Sequence, residues 1–151
     1  MADPVSRRGV LAGAGLLALL PQAPARATPQ AMQEAMRAIV GTATPREGRV
    51  RLDVPPLVEN GNAVPLTVSV DSPMSESDHV KAIHILNQKN PQPHVISIAL
   101  GPRAGRAMVR TRIKLADSQQ VVAIAEMNDG SLWTGTADVV VTLAACVEDV
   151  R

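Results

Sequence analysis

One cysteine occurs in the chain, Cys146, within the closing stretch Val141-Thr142-Leu143-Ala144-Ala145-Cys146-Val147-Glu148-Asp149-Val150-Arg151. A single thiol cannot close an internal disulfide, and a structural cysteine is normally a small hydrophobe inside a strand or helix. Cys146 instead follows a run that reads as the last β-strand, beyond the last expected core position, Leu143. Its nucleophilic chemistry requires the thiolate, which Glu148 and Asp149 disfavour, so activation has to come from a partner protein. These are the properties of a carrier arm, in which Ala144, Ala145, Val147 and Glu148 flank a covalent attachment point at Cys146.

Other reactive side chains are less suggestive. Asp71 to His79 gathers carboxylates, a thioether and an imidazole, but it lacks the EF-hand order and glycine, and no second histidine stands at a zinc-finger spacing. It reads as a solvated connector, and no metal or cofactor is expected. Copper carriage through Met74, His79 or His84 is the weakest functional reading. Arg103, Arg106, Arg110, Arg112 and Lys114 concentrate charge in what reads as one hairpin, with Val109, Thr111, Ile113 and Leu115 alternating on the other face. A solvated sheet face explains this pattern first, and a docking surface for an acidic partner or anionic cargo second. No Ser-His-Asp motif, phosphate-cradling glycine loop, dinucleotide fingerprint or CxxC occurs, so an enzyme with its own active site is not expected.

The compartment decides what a lone thiol meets. Ser6-Arg7-Arg8-Gly9-Val10-Leu11 reads as a twin-arginine export signal, although Val10 and Ala12 depart from its usual Phe and Lys. The apolar run from Gly9 to Leu20 is too short to span a bilayer and ends at Pro21, and Ala25-Arg26-Ala27 suits cleavage after Ala27. The expected location is the periplasm. The whole chain carries 15 basic and 14 acidic side chains; losing residues 1–27 removes Arg7, Arg8, Arg26 and Asp3 and leaves a near-neutral protein. That balance argues against nucleic acid or an anionic membrane as the main partner. With no Phe or Tyr and only Trp133, the core has to be aliphatic, and stacking sites for bases or sugars are not expected.

The elements that must position the arm follow from periodicity. Thr28 as N-cap and Pro29 in the first turn open a helix over Ala31 to Val40, whose stripe Met32, Met36, Ile39 and Val40 ends at Gly41. The period then changes to two in Val50 to Val54 and Val64 to Val70, with Asn60-Gly61 as the turn between them and Pro65 suggesting a sheet edge. Further strands are predicted at Val80 to Leu86, His94 to Leu100, Ala107 to Leu115, Gln120 to Met127 and Leu132 to Leu143, the last open to a break at Gly135. Asn90-Pro91-Gln92-Pro93, Gly101-Pro102, Ala116-Asp117-Ser118 and Asn128-Asp129-Gly130 supply turns. The predicted class is all-β: an immunoglobulin-like antiparallel sandwich of about seven strands with a short N-terminal helix. Its divisions are a leader (1–27), the helix and linker (28–47), the sandwich (48–143) and the arm (144–151). Gln120 to Met127 is apolar on both faces. Val121, Ala123 and Ala125 can fill the core, whereas Val122 and Ile124 need a second cover, expected to be a partner subunit.

Several stretches together resemble one family. Pro56-Leu57-Val58-Glu59-Asn60-Gly61-Asn62-Ala63-Val64-Pro65-Leu66, Val68-Ser69-Val70-Asp71-Ser72-Pro73-Met74, Asn90-Pro91, Arg112 to Gln119, Val121-Val122-Ala123 and Asp129-Gly130-Ser131 resemble SoxY, the carrier subunit of thiosulfate oxidation. The resemblance implies a sandwich paired with a second sandwich subunit, SoxZ, and a cysteine on a C-terminal Gly-Gly-Cys-Gly-Gly arm that carries sulfur intermediates between periplasmic enzymes. Cys146 matches that cysteine. Its setting, Ala144-Ala145-Cys146-Val147-Glu148, replaces the glycines and resembles the SoxY-related AACIE arm, with Val147 for Ile. Added Cβ atoms, χ1 stiffness and a charge make such an arm bulkier than one of glycines. The alternative reading is a binding or assembly module whose cysteine anchors a permanent covalent link.

Overall fold

The computed structural model describes residues 29–143. One helix, α1 (Pro29–Val40), precedes nine strands among these residues: β1 (Arg46–Glu47), β2 (Val50–Asp53), β3 (Leu57–Asn60), β4 (Val64–Val70), β5 (Val80–Asn87), β6 (His94–Ala99), β7 (Met108–Ile113), β8 (Gln119–Met127) and β9 (Leu132–Leu143). They form a sandwich. The large sheet has the order β1-β9-β8-β5-β6, with β3 also on β9, and the small sheet has the order β2-β4-β7.

The alternation seen in the sequence places the core between the sheets. Val64, Leu66, Val68 and Val70 of β4 are buried and pack in one cluster with Ile83 and Ile85 of β5, Val121, Ala123 and Ala125 of β8, and Val139 of β9. Each large aliphatic side chain removed from water in this way contributes about 1.5–3 kcal/mol, which is how a core without Phe or Tyr is built. A bulge near the start of β5, where the register with β8 shifts between Val80 and Ala82, lets Val80 and Ile83 share the core face although they are three apart. A second bulge lies in the β5–β6 pair, where Ile85 faces Ile96 but Leu86 faces His94.

Four expectations need correction. The sandwich is not antiparallel throughout, because β1 and β3 both pair parallel with β9, Arg46 opposite Trp133 and Leu57 opposite Val140. These short strands carry too few residues for a period to register. The Asn60-Gly61 turn is the end of β3 leading into a 3₁₀ turn, Gly61–Ala63, with the Asn60 side chain accepting the Asn62 N–H at 2.9 Å. Pro65 is on the central strand of the small sheet; β2 pairs only with Thr67 to Val70, so the missing N–H falls where β4 has β7 alone beside it. The arginine-rich segment is not a hairpin either: β6 belongs to the large sheet, β7 to the small one, and Arg103 sits in the 3₁₀ turn Pro102–Ala104 between them.

β9 runs unbroken through Gly135. A Cβ there would lie 2.7 Å from the Val50 carbonyl oxygen, so the glycine admits the close crossing of β2 over β9. The second cover for β8 comes from the chain itself. Met32 of α1, flanked by Ala35, Met36, Ile39 and Val40, packs on Leu86, Val122, Ile124 and Leu132 of the large sheet's outer face. The partner subunit expected on that face is not needed there: the amphipathic helix supplies what the two-sided strand requires.

Candidate functional site

The arm itself, Ala144, Ala145, Cys146, Val147 and Glu148, lies outside the described residues, as do Arg7, Arg8 and the cleavage position Ala27. What the structure describes is the mount from which the arm departs. The last four residues of β9, Val140 to Leu143, are held on both sides. On one side β3 pairs with them in parallel, Asn60 opposite Leu143, and Thr142 Oγ1 donates to the Glu59 carbonyl at 3.1 Å. The Val140 N–H donates to the Pro56 carbonyl at 2.9 Å. On the other side Ser118 takes over where β8 has not yet begun, its Oγ accepting the Val141 N–H at 2.9 Å. Leu143, 68% exposed, ends the strand three residues before Cys146. Neither β3 nor the Ser118 bridge has a sequence signal: β3 is defined by backbone hydrogen bonds that any residue type can make, and the Ser118 hydroxyl reaches a backbone N–H 23 residues away.

The Asp71–His79 segment is a connector, as expected, but only partly solvated and held by its own hydrogen bonds. Ser72 Oγ accepts the Met74 N–H at 3.2 Å, Ser75 Oγ accepts the Asp78 N–H at 3.1 Å, and Arg49 reaches both Asp78 oxygens at 3.3 and 3.2 Å. Met74 is buried in the core with φ at 52°, and His79 Nδ1 lies 3.0 Å from the Ser75 carbonyl. His84 is elsewhere, on the large sheet's outer face. The three groups of the copper reading are thus not assembled, and no cluster of three His, Cys, Asp or Glu suited to a metal occurs among the described residues.

His84 belongs to a group the sequence did not reveal. Its Nδ1 lies 2.6 Å from Ser97 Oγ, and His94 Nε2 lies 2.7 Å from the same oxygen, beside α1 and Glu126. With a single proton, the hydroxyl donates to one imidazole and accepts from the other. The β6 bulge turns His94 onto the face of Ser97, a displacement that no simple alternation predicts. Burial, the largest influence, holds His84 below the usual histidine value; the Glu126 carboxylate pulls it up and His94 pushes it further down. Trp133, the one aromatic residue, is flanked by the guanidinium groups of Arg46 and Arg49 at 4.6 and 5.4 Å.

The family model for the sulfur oxidation protein SoxY matches residues 36–146, which is most of the chain and extends to the cysteine. The chain belongs to the SoxY family. Among solved structures, the sulfur carrier protein SoxY from Chlorobium limicola f thiosulfatophilum is 25% identical, with a TM-score of 0.61 over 73% of this chain and 90% of that one. Superoxide reductase (neelaredoxin) from Ignicoccus hospitalis is 20% identical with a TM-score of 0.56, over 62% of this chain and 80% of its own. Superoxide reductase from Nanoarchaeum equitans, at 15% and 0.53, covers 64% of this chain and is itself covered completely. The two reductases share the fold of this SoxY-family sandwich and nothing further is carried over from them. No curated protein sequence matches the chain. The resemblance read from Pro56 to Ser131 is thus borne out at the level of family and fold, and a role in sulfur oxidation as a carrier comes with it.

Proposed function

We propose that this protein is a non-catalytic periplasmic carrier, exported through Arg7 and Arg8 and cleaved after Ala27, that holds a small sulfur-containing group covalently on Cys146. It presents that group to partner enzymes while docked to a SoxZ-like subunit. The observation that carries the reading is the mount: β9 is clamped by β3 and Ser118 up to Leu143, and the family match continues past this point to residue 146. A rigid base with a short tether delivers a thiol to different active sites while the body stays folded.

Joining the Cys146 thiol to the terminal sulfur of an intact anion, with no leaving group, forms an S–S bond, releases the thiol proton and removes two electrons, whereas transfer of a sulfane sulfur from a persulfide donor releases the donor thiol and needs no oxidant. An enzyme that loads by the first route has to supply a two-electron acceptor. Ala144, Ala145, Val147 and Glu148 give this arm more bulk and one more charge than glycines would, which favours loading enzymes with a wider entrance than a Gly-Gly-Cys-Gly-Gly arm needs. Cys146→Ser tests the proposal. It is expected to keep the fold and partner binding, to abolish pathway activity, and to lack the small reductant-labile adducts that intact mass is expected to show on the parent protein. Full activity in Cys146→Ser defeats the carrier reading, and a permanent covalent partner on Cys146 establishes the anchor alternative.

A further inference from the structure

The sandwich has four kinds of open edge, and all but one are protected against strand pairing. β1 has two residues and β3 has four with Glu59 among them; β2 has four and carries Arg51 and Asp53; β7 carries Arg110 and Arg112. Short length and charge are the usual means of keeping an edge from recruiting another strand. β6 has neither. Its six residues, His94-Val95-Ile96-Ser97-Ile98-Ala99, include no Lys, Arg, Asp, Glu or Pro, and among the described residues its only neighbour is β5. Ile96 sits opposite the fully buried Ile85, on the core side of the sheet, yet remains 38% exposed because no strand among the described residues lies beyond it.

Next to this edge is the basic margin of the small sheet. One groove is lined by His94 and Val95 from β6 and by Arg112 and Lys114 at the end of β7. Arg110, Arg112 and Lys114 are in no salt bridge among the described residues; the pairs there are Arg49–Asp78, Lys81–Glu126 and Lys89–Asp117. Two copies pairing through β6 about a two-fold axis would run antiparallel, setting the basic end near His94 of one against the Ala99 end of the other, where Leu100-Gly101-Pro102-Arg103 offers a further cation and no carboxylate.

We infer that β6 is the subunit edge: a heterologous sandwich partner adds one of its strands to β6, in register with Ile96, and places carboxylates opposite Arg112 and Lys114. Main-chain hydrogen bonds along β6 supply attachment, the side chain over Ile96 closes the core at that margin, and the charge pairing selects the partner against self-association. The inference rests on the subunit part of the proposed function, and it identifies the surface of this chain that the SoxZ-like subunit occupies.

The test uses the full chain with the SoxZ-like subunit expressed alongside it. Hydrogen exchange at residues 94–99 is expected to slow in the complex, Ile96→Lys to weaken binding at least tenfold without lowering the melting temperature, and Arg112→Glu to weaken it with a shallower salt dependence. Ala99→Lys, on the exposed outer face of the same strand, is a second probe with little bearing on the core. A complex that forms with unchanged exchange in β6, or that Ile96→Lys and Ala99→Lys leave at parental affinity, overturns the inference. A dimer of this chain alone that Ile96→Lys dissolves overturns the choice of occupant. Absence of any complex with the parent chain removes the subunit reading itself, while adducts on Cys146 report on the carrier reading separately.

Discussion

The two sheets of this sandwich have opposite outer faces. That of the large sheet is apolar where Leu86, Val122, Ile124 and Leu132 gather, and α1 buries it. That of the small sheet is bare: β4 presents Pro65, Thr67 and Ser69, and β7 presents Met108, Arg110 and Arg112, opposite them in register. Both inner faces belong to one aliphatic core. The contrast shows that a strand apolar on both sides demands a cover without specifying its source. Here twelve residues of the same chain provide it at little entropic cost, since a short linker already holds the helix nearby.

This contrast can be broken most strongly at its covered side. Ile124→Ala removes a fully buried side chain from beneath the helix and is expected to cost about 2–5 kcal/mol, the range for cavities in packed cores, read as a lower midpoint in denaturant at unchanged slope. A loss below 0.5 kcal/mol would mean that α1 lies loosely on the sheet.

The margin of the covered face offers a smaller, pH-dependent effect. Burial beside α1 depresses the His84 imidazole in the fold, so the unfolded chain binds its proton first as pH falls. Stability should therefore be complete above the ordinary histidine value of 6.5 and decline below it, and His84→Gln should flatten that slope. Melting curves across pH 5–8 check this, and an unchanged slope in His84→Gln would assign the dependence to other groups.

The smallest effect belongs to the bare face. Arg110→Thr should leave stability within about 0.5 kcal/mol of the parent, because an exposed arginine with no ion-pair partner among the described residues contributes little and threonine suits a strand. A loss above 1 kcal/mol would show that the arginine stem covers apolar surface there.

Much of this was legible beforehand. The period-two runs of β4 and β7, the two-sided apolar run of β8 and the stripe of α1 appear where the spacing of apolar residues places them, since the side chains that bury are the ones that set the pattern. β1 and β3 were not legible, being two- and four-residue strands defined by hydrogen bonds to β9. The candidate site divides in the same way. The position of a lone Cys146 past the last strand is a property of the sequence, whereas the clamp on Val140 to Leu143 consists of the Pro56 and Glu59 carbonyls and one serine hydroxyl, brought from distant parts of the chain.

By itself, then, the order of residues determined which side chains face inward, the family to which the chain belongs and the place of its single thiol. These depend on local spacing and on side-chain identity, both written along the chain. Only the tertiary structure decided that α1 and not a second subunit covers Val122 and Ile124, that β3 secures the root of the arm, that a bulge unites His94 with His84 on Ser97, and that β6 is left as the uncharged edge. Each of these is a meeting between segments remote in sequence. A periodic pattern reports that a face must be buried, but the partner is chosen by packing and hydrogen bonding among all the elements at once.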